Sequence, residues 1–180
     1  PKFAYPHDNL GDVYRDQGRY DDAIAAYQQA INLDPKDAYP YNGLGDVYRV
    51  QGRYDDAIAA YIKAIELDSK YAYSKLSLGL VHALECQMNE ANQLWLEGRQ
   101  LLGEDVCDRL HYGLYSLALG ESESGLALIQ TLIRDGAISA AIKGALDDAT
   151  ILARCPMPPE GIEQVISLLQ TALNETPSSK

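Results

Sequence analysis

Gly45-Asp46-Val47-Tyr48, followed by Gly52-Arg53-Tyr54-Asp55-Asp56-Ala57-Ile58-Ala59-Ala60-Tyr61, occurs almost unchanged thirty-four residues upstream. There the chain reads Gly11-Asp12-Val13-Tyr14, then Gly18-Arg19-Tyr20-Asp21-Asp22-Ala23-Ile24-Ala25-Ala26-Tyr27. Aligned from Ala4 and Ala38, the two copies agree at 25 of 34 positions. Self-similarity at such a period marks a repeat architecture in which each copy is one supersecondary unit. Leu10 with Tyr14, and Leu44 with Tyr48, stand four apart on one helix face. Gly18 and Gly52 fall where the first helix must stop, at a position suited to positive φ. Gly11, Gly45, Ala23, Ala57, Ala30 and Ala64 are small, so paired helices can approach closely. Tyr27 and Tyr61 then fill the space between neighbouring hairpins. A single hairpin cannot bury this face alone, so the copies must stack.

Counted from the start of each copy, the shared residues are Leu at 7, Gly at 8, Tyr at 11, Gly at 15, Ala at 20, Tyr at 24 and Ala at 27. Pro35 closes the first copy at position 32. This pattern resembles the tetratricopeptide repeat, a helix–turn–helix of the same period. His7 and Tyr41 depart from it, standing where the family usually has Trp. The resemblance implies an all-α, right-handed superhelical solenoid of antiparallel helix hairpins, closed by a C-terminal capping helix pair.

The third copy, 72–105, is degenerate but in register. It keeps Leu78, Gly79 and Ala91, while His82, Cys86 and Trp95 replace Tyr, Gly and Tyr. A fainter fourth copy, 106–136, keeps Gly113 and Gly120 as punctuation, with Gly125 at the small site and Leu126 and Ile129 on its apolar faces. Helices are expected near 4–17, 20–33, 38–51, 54–67, 106–119 and 123–134. Gly136 then breaks the chain, and 137–153 reads as another helix. Cys155-Pro156-Met157-Pro158-Pro159 is a stop, since proline blocks helix continuation. A last amphipathic helix follows near 160–173, with Ile162, Val165, Ile166, Leu169 and Leu173 on one side. The organisation is thus four hairpins over 1–136 (4–37, 38–71, 72–105 and 106–136), with capping helices and a tail over 137–180. Pro1-Lys2-Phe3 matches the end of a preceding copy, so the chain reads as a fragment of a longer protein.

The formal net charge is −11. Such a surface repels phosphate and anionic headgroups, so neither nucleic acid nor a membrane is an expected partner. A basic protein or peptide, or an amphipathic helix, is the expected class instead. Cys86, Cys107 and Cys155 are odd in number and widely spaced, without a C-x-x-C pair, so no disulfide framework is implied. A reducing cytoplasm fits that usage. No apolar run approaches the roughly 20 residues of a membrane span.

No catalytic constellation is legible. The glycines are helix punctuation, not a phosphate loop. His7, His82 and His111 lie in separate copies; His82, at the packing site of Tyr14 and Tyr48, reads as a core histidine. Cys107 and His111 share a helix face at i, i+4, but spacing supplies no third ligand or orienting acid. The acids Asp21-Asp22 and Asp55-Asp56 open second helices, where negative charge opposes the positive helix end. No cofactor, metal or enzymatic activity is expected.

Function is expected on the inner face of the first helices, which the family uses to grip peptides. Carried over position by position, its polar half comprises Tyr5, Asp8, Asp12, Arg15, Tyr39, Asn42, Asp46, Arg49 and Tyr73. Its apolar half comprises Leu76, Leu80, Leu110, Leu114 and Leu117. In the polar half the tyrosines can supply contact area while Asp and Arg set register. Alternatively, Asp12–Arg15 and Asp46–Arg49 are only i, i+3 pairs on a wet helix surface. Asp8 and Asp12 stand where family members that bind acidic peptide tails carry basic or amide groups, which argues against such a ligand. The apolar half should not face water as a continuous patch. It can be covered by the last helices, by a partner helix or by a second copy. The expected function is protein interaction within a scaffold; the alternative is a spacer or self-association segment without a peptide ligand.

Overall fold

The same backbone device cuts each of the first four helix–turn–helix segments. The computed structural model describes residues 5–135, 139–155 and 158–175. The Pro1-Lys2-Phe3 match, the Gly136 break, Pro156-Met157 and the tail beyond Glu175 lie outside them. In chain order the described helices are α1 (Tyr5–Asp16), α2 (Tyr20–Leu33), α3 (Tyr39–Val50), α4 (Tyr54–Leu67), α5 (Ala72–Leu84), α6 (Met88–Arg99), α7 (Val106–Ala118), α8 (Ser122–Arg134), α9 (Ser139–Leu152) and α10 (Ile162–Glu175). No strand occurs among the described residues, so the class is all-α, as the repeat pattern implies.

After α1, Gly18 adopts φ 72°, and its N–H and that of Arg19 bond the carbonyls of Arg15 and Tyr14 at 2.9 Å. These two bonds satisfy carbonyls that the helix end leaves free. Gly52 after α3 and Gly120 after α7 repeat the geometry. Cys86 repeats it after α5 with φ 65°, in a region where an L side chain is strained by roughly 1–2 kcal/mol. The turn is therefore a property of position, retained even where the glycine is lost. Pro40 sits in the first turn of α3, where a missing N–H leaves no bond unmade.

The chain forms two compact units, residues 1–81 and 82–180. In the first, α1 packs on α2, α3 on α4, and α2 and α1 on α3. Ala23, Tyr27, Leu44, Val47 and Ala60 are its buried core, flanked by Tyr14, Tyr20, Ile24, Ile31 and Tyr48. Tyr27 is the keystone of this packing. A Cβ on Gly11 would lie 2.5 Å from its ring, and a Cβ on Gly43, in the next copy, would lie 2.5 Å from it as well. Tyr61 meets Gly45 in the same way. Glycine at these helical sites is thus required by ring thickness, despite its entropic cost.

In the second unit α7 pairs with α8 and α9 with α10, while α9 packs on α7 and α10 on α8. The last two helices thus extend the stack by one layer. Trp95 takes the position of Tyr27 and Tyr61, is fully buried, and packs its ring 5.9 Å from that of Tyr115. His82 departs from expectation: it is half-buried, and its Nδ1 bonds the Gln87 side chain across the turn instead of entering the core.

Gly43→Ala gives a clear test of the Tyr27 clamp. In an ordinary helix this exchange stabilises by about 0.5–1 kcal/mol. Here it should destabilise the first unit by about 1–3 kcal/mol, because the Tyr27 ring is held from both sides. Urea denaturation followed by circular dichroism reads the sign directly; a stabilised variant would remove Tyr27 from its keystone role.

Candidate functional site

The first helices α1 and α3 set corresponding residues side by side, and these are joined into a continuous polar ladder. Asp12 accepts from the Tyr27 hydroxyl at 2.7 Å and from the Tyr39 hydroxyl at 2.5 Å. Arg15 contacts Asp12 at 3.2 Å and reaches Asp46 of the next copy at 3.5 Å. Asp46 in turn accepts from the Tyr61 hydroxyl at 2.8 Å and pairs with Arg49 at 3.5 Å, while Arg49 Nε donates to the Tyr61 oxygen at 3.2 Å. Each rung thus combines a first-helix acid and arginine with a second-helix tyrosine; the lower rung adds the next copy's Tyr39. Burial and the neighbouring carboxylates push the Tyr27 and Tyr61 phenols up, so both stay protonated donors. The charges of Asp46 and Asp12 outweigh the burial of Arg15 and secure its positive form.

Asp12–Arg15 and Asp46–Arg49 are not loose surface pairs. They are partly buried members of an internal network, with side chains 12–28% exposed. The sequence reading missed Tyr27 and Tyr61 as their partners, because it assigned these tyrosines to packing alone. The residue on this row that stays open is Tyr39, 39% exposed. Its ring lies 6.4 Å from that of Tyr71, and Tyr71 lies 6.1 Å from Tyr73. Tyr71 was not anticipated; it is the last residue of the second copy and replaces Asp37 of the first. The Tyr5 side chain lies outside the described residues.

The two copies differ at position 5 of the repeat. Asn42 is buried and satisfied: its Oδ1 accepts from Ser74 Oγ at 3.0 Å and its Nδ2 donates to Asp46 at 3.4 Å. Asp8 is only 3% exposed, and its Oδ1 has no hydrogen-bond partner. Pro40 stands thirty-two residues after Asp8, as Ser74 does after Asn42, and it offers no donor. Burial, then the charges of Asp37 and Asp12, push the Asp8 carboxyl up to about 6; His7 opposes this weakly and Asp34 adds to it.

The five apolar residues are buried where they stand. Leu76 and Leu80, in the first unit, and Leu110, Leu114 and Leu117, in the second, are each at most 1% exposed. Around α7 the second unit also assembles Cys107, His111, Tyr115 and Asp148. His111 Nδ1 donates to the Cys107 carbonyl at 2.8 Å, and Nε2 lies 3.7 Å from Asp148 on α9. Tyr115 donates to the same carboxylate at 2.8 Å. Burial disfavours the charged imidazole, but the Cys107 thiol and carbonyl and the Asp148 charge outweigh it and hold His111 up to about 9. With both ring nitrogens donating, His111 cannot take a proton from Cys107 near neutral pH. This is a buried ion pair joining α7 to α9, and Asp148 is the member that spacing did not reveal. Among the described residues no group of three or more His, Cys, Asp or Glu is arranged to hold a metal ion. No described helix is long and apolar enough to cross a membrane.

A family model described as "TPR repeat" matches residues 11–52 and 45–84. Residues 11–84 thus match the tetratricopeptide repeat. The matched stretches contain the second copy, the first copy from Gly11 onward, and the Tyr27 and Tyr61 rungs. No curated protein matches the sequence. Solved structures share the fold. The second tetratricopeptide domain of Spaghetti (RPAP3), bound to the HSP90 peptide SRMEEVD, is 24% identical with a TM-score of 0.53, over 56% of this chain and 93% of its own. The Yersinia enterocolitica type III secretion translocator chaperone SycD is 21% identical with a TM-score of 0.60, over 66% of this chain and 88% of its own. MamA is 23% identical with a TM-score of 0.52, over 74% and 78%.

Two pH effects of opposite origin follow. The Asp8 carboxyl is raised by the fold, so its ionisation destabilises the folded state as pH climbs from 4 through 6. Two units at 1.36 kcal/mol bound the effect near 3, and solvent screening reduces it to about 1–2 kcal/mol. Asp8→Asn should therefore stabilise the first unit by about 1–2 kcal/mol at pH 7.5 and by almost nothing at pH 4. His111 is also raised, but as a cation. Its contribution is complete below pH 6.5 and lost as pH rises through 9, so the second unit should weaken by about 2–3 kcal/mol over that window. Thermal unfolding across pH 4–10, with His111→Gln to abolish the alkaline step, checks both.

Proposed function

We propose that the chain is a protein-interaction module that holds a peptide or partner helix along the α1 and α3 row, as a scaffold element and without catalysis of its own. The observation that carries this reading is Tyr39. It is exposed, yet its hydroxyl is fixed on Asp12 and its ring neighbours Tyr71. Aromatic side chains held rigid in this way give contact area at low entropic cost on binding. Its support from relatives is that of fold: one neighbour carries an HSP90 peptide and another is a chaperone. That peptide, SRMEEVD, is acidic. The acids of the present row, Asp8, Asp12 and Asp46, favour a ligand of the opposite charge. Burial of Leu76, Leu80, Leu110, Leu114 and Leu117 speaks against self-association through that row. A cytoplasmic setting is consistent with three free cysteines.

Panning a random peptide display library on the whole chain tests the proposal. Enriched peptides should lose about tenfold or more in affinity with Tyr39→Ala and keep it with Arg53→Glu on the outer hairpin turn, a difference of at least 1.4 kcal/mol. If no enriched peptide depends on Tyr39, the spacer reading replaces this one.

A further inference from the structure

We infer that the first unit holds a subsite for one cationic side chain of a partner peptide, a lysine ammonium or arginine guanidinium, between the Tyr39 and Tyr71 rings and the carboxylates of Asp8, Asp12 and Asp37. This rests on the interaction-module reading and names the group that the module reads.

Asp8 carries the argument. A buried carboxylate without a partner is costly, and folds normally satisfy or remove it. This fold already contains the satisfied solution: Asn42 at the same position of the second copy bonds both Ser74 and Asp46. A carboxylate is therefore not needed at this position to build the repeat. Among the described residues the groups whose charges act on Asp8 are Asp37, Asp12 and Asp34, with His7 of opposite sign, and no lysine or arginine is among them. Such a liability in an otherwise satisfied network is what a ligand's charge would relieve.

The aromatic side is independent of this. The Tyr39 and Tyr71 rings stand 6.4 Å apart with planes tilted at 46°, and a cation is drawn to the face of such a ring. Burial, Tyr39 and the charges of Asp46, Asp12 and Asp37 push the Tyr71 phenol up. Asp8 stands one turn before Asp12 on α1, and Tyr39 is fixed to Asp12 by its hydroxyl and to Asp37 by its backbone N–H at 3.0 Å, so the two halves of the subsite adjoin. Arg15 does not fill the subsite, since it already bridges Asp12 and Asp46. A net charge of −11 draws basic segments towards the chain from a distance.

The probe is an acetylated, amidated (Lys-Ala)4 peptide, titrated calorimetrically into the whole chain beside its (Glu-Ala)4 counterpart. The lysine peptide should bind and the glutamate peptide should not. Asp8→Asn, which stabilises the fold, and Tyr71→Leu should each weaken binding about tenfold, whereas the exposed pair Asp21→Asn and Asp55→Asn should leave it unchanged. Affinity should rise about tenfold between pH 5 and 7.5 as Asp8 ionises, and stay flat in Asp8→Asn. That series uses a His7→Gln background, which removes the basic group that acts on Asp8. Equal losses from the Asp21 and Asp55 changes would reduce the effect to diffuse attraction and overturn the subsite. Failure of the subsite is separable from failure of the module. If panned peptides depend on Tyr39 but are acidic or neutral and ignore Asp8→Asn, the subsite falls and the module stands. If none depends on Tyr39, both fall.

Discussion

The phenol of Tyr27 ties together almost everything in the first unit. Its ring is thick enough to demand a glycine on each flanking first helix, Gly11 and Gly43. Its buried hydroxyl must then find an acceptor, and Asp12 supplies one. Asp12 needs counter-charge, which Arg15 provides before reaching on to Asp46 and the next rung. One side chain thus sets the helix spacing, the position of an acid and the electrostatic link between copies. Tyr61 repeats the role with Gly45, Asp46 and Arg49. The copies are held by packing and polar pairing at the same place, so neither can change without the other.

A surface built on such a ladder is rigid before any ligand arrives. Most of its charged groups are committed to one another, and their exposure is small. Among the described residues of the row, Tyr39 stays exposed with Tyr71 beside it, and Asp8 stays buried with an unpaired oxygen. This contrast between a satisfied Asn42 and an unsatisfied Asp8 is the sharpest asymmetry between two copies that agree at 25 of 34 positions. The second unit solves its problem differently. Its first-helix row is leucine, buried as α9 packs along α7, and a charged core pair, His111 with Asp148, is closed by Tyr115. The same helix-hairpin plan therefore presents a polar face in one unit and fills it from within in the other.

The helices themselves were legible in the chain. Their boundaries followed from Gly18, Gly52 and Gly120, because a positive φ at a helix end is a local requirement that few residues meet. Cys86 shows the limit of that rule. Its turn could be located only by register, since the residue itself argues against the φ it adopts. His82 was misread as core, because copy-to-copy substitution at a packing site preserves position but not burial. Its polar ring finds Gln87 at the turn instead.

By itself the sequence determined the period, the all-α class, the hairpin register and which residues recur at equivalent positions of the first helices. These depend on local conformational preference and on spacing along one helix, both of which are written in the order of residues. Only the tertiary structure decided which of those residues are spent on each other. Tyr27 meets Asp12 fifteen residues away, Tyr39 meets it across twenty-seven, and His111 meets Asp148 on another helix. It also decided that Asp8 is buried without a partner while its counterpart Asn42 is not. Hydrogen bonding and desolvation depend on distance and solvent access, and neither is fixed until helices far apart in the chain are packed together.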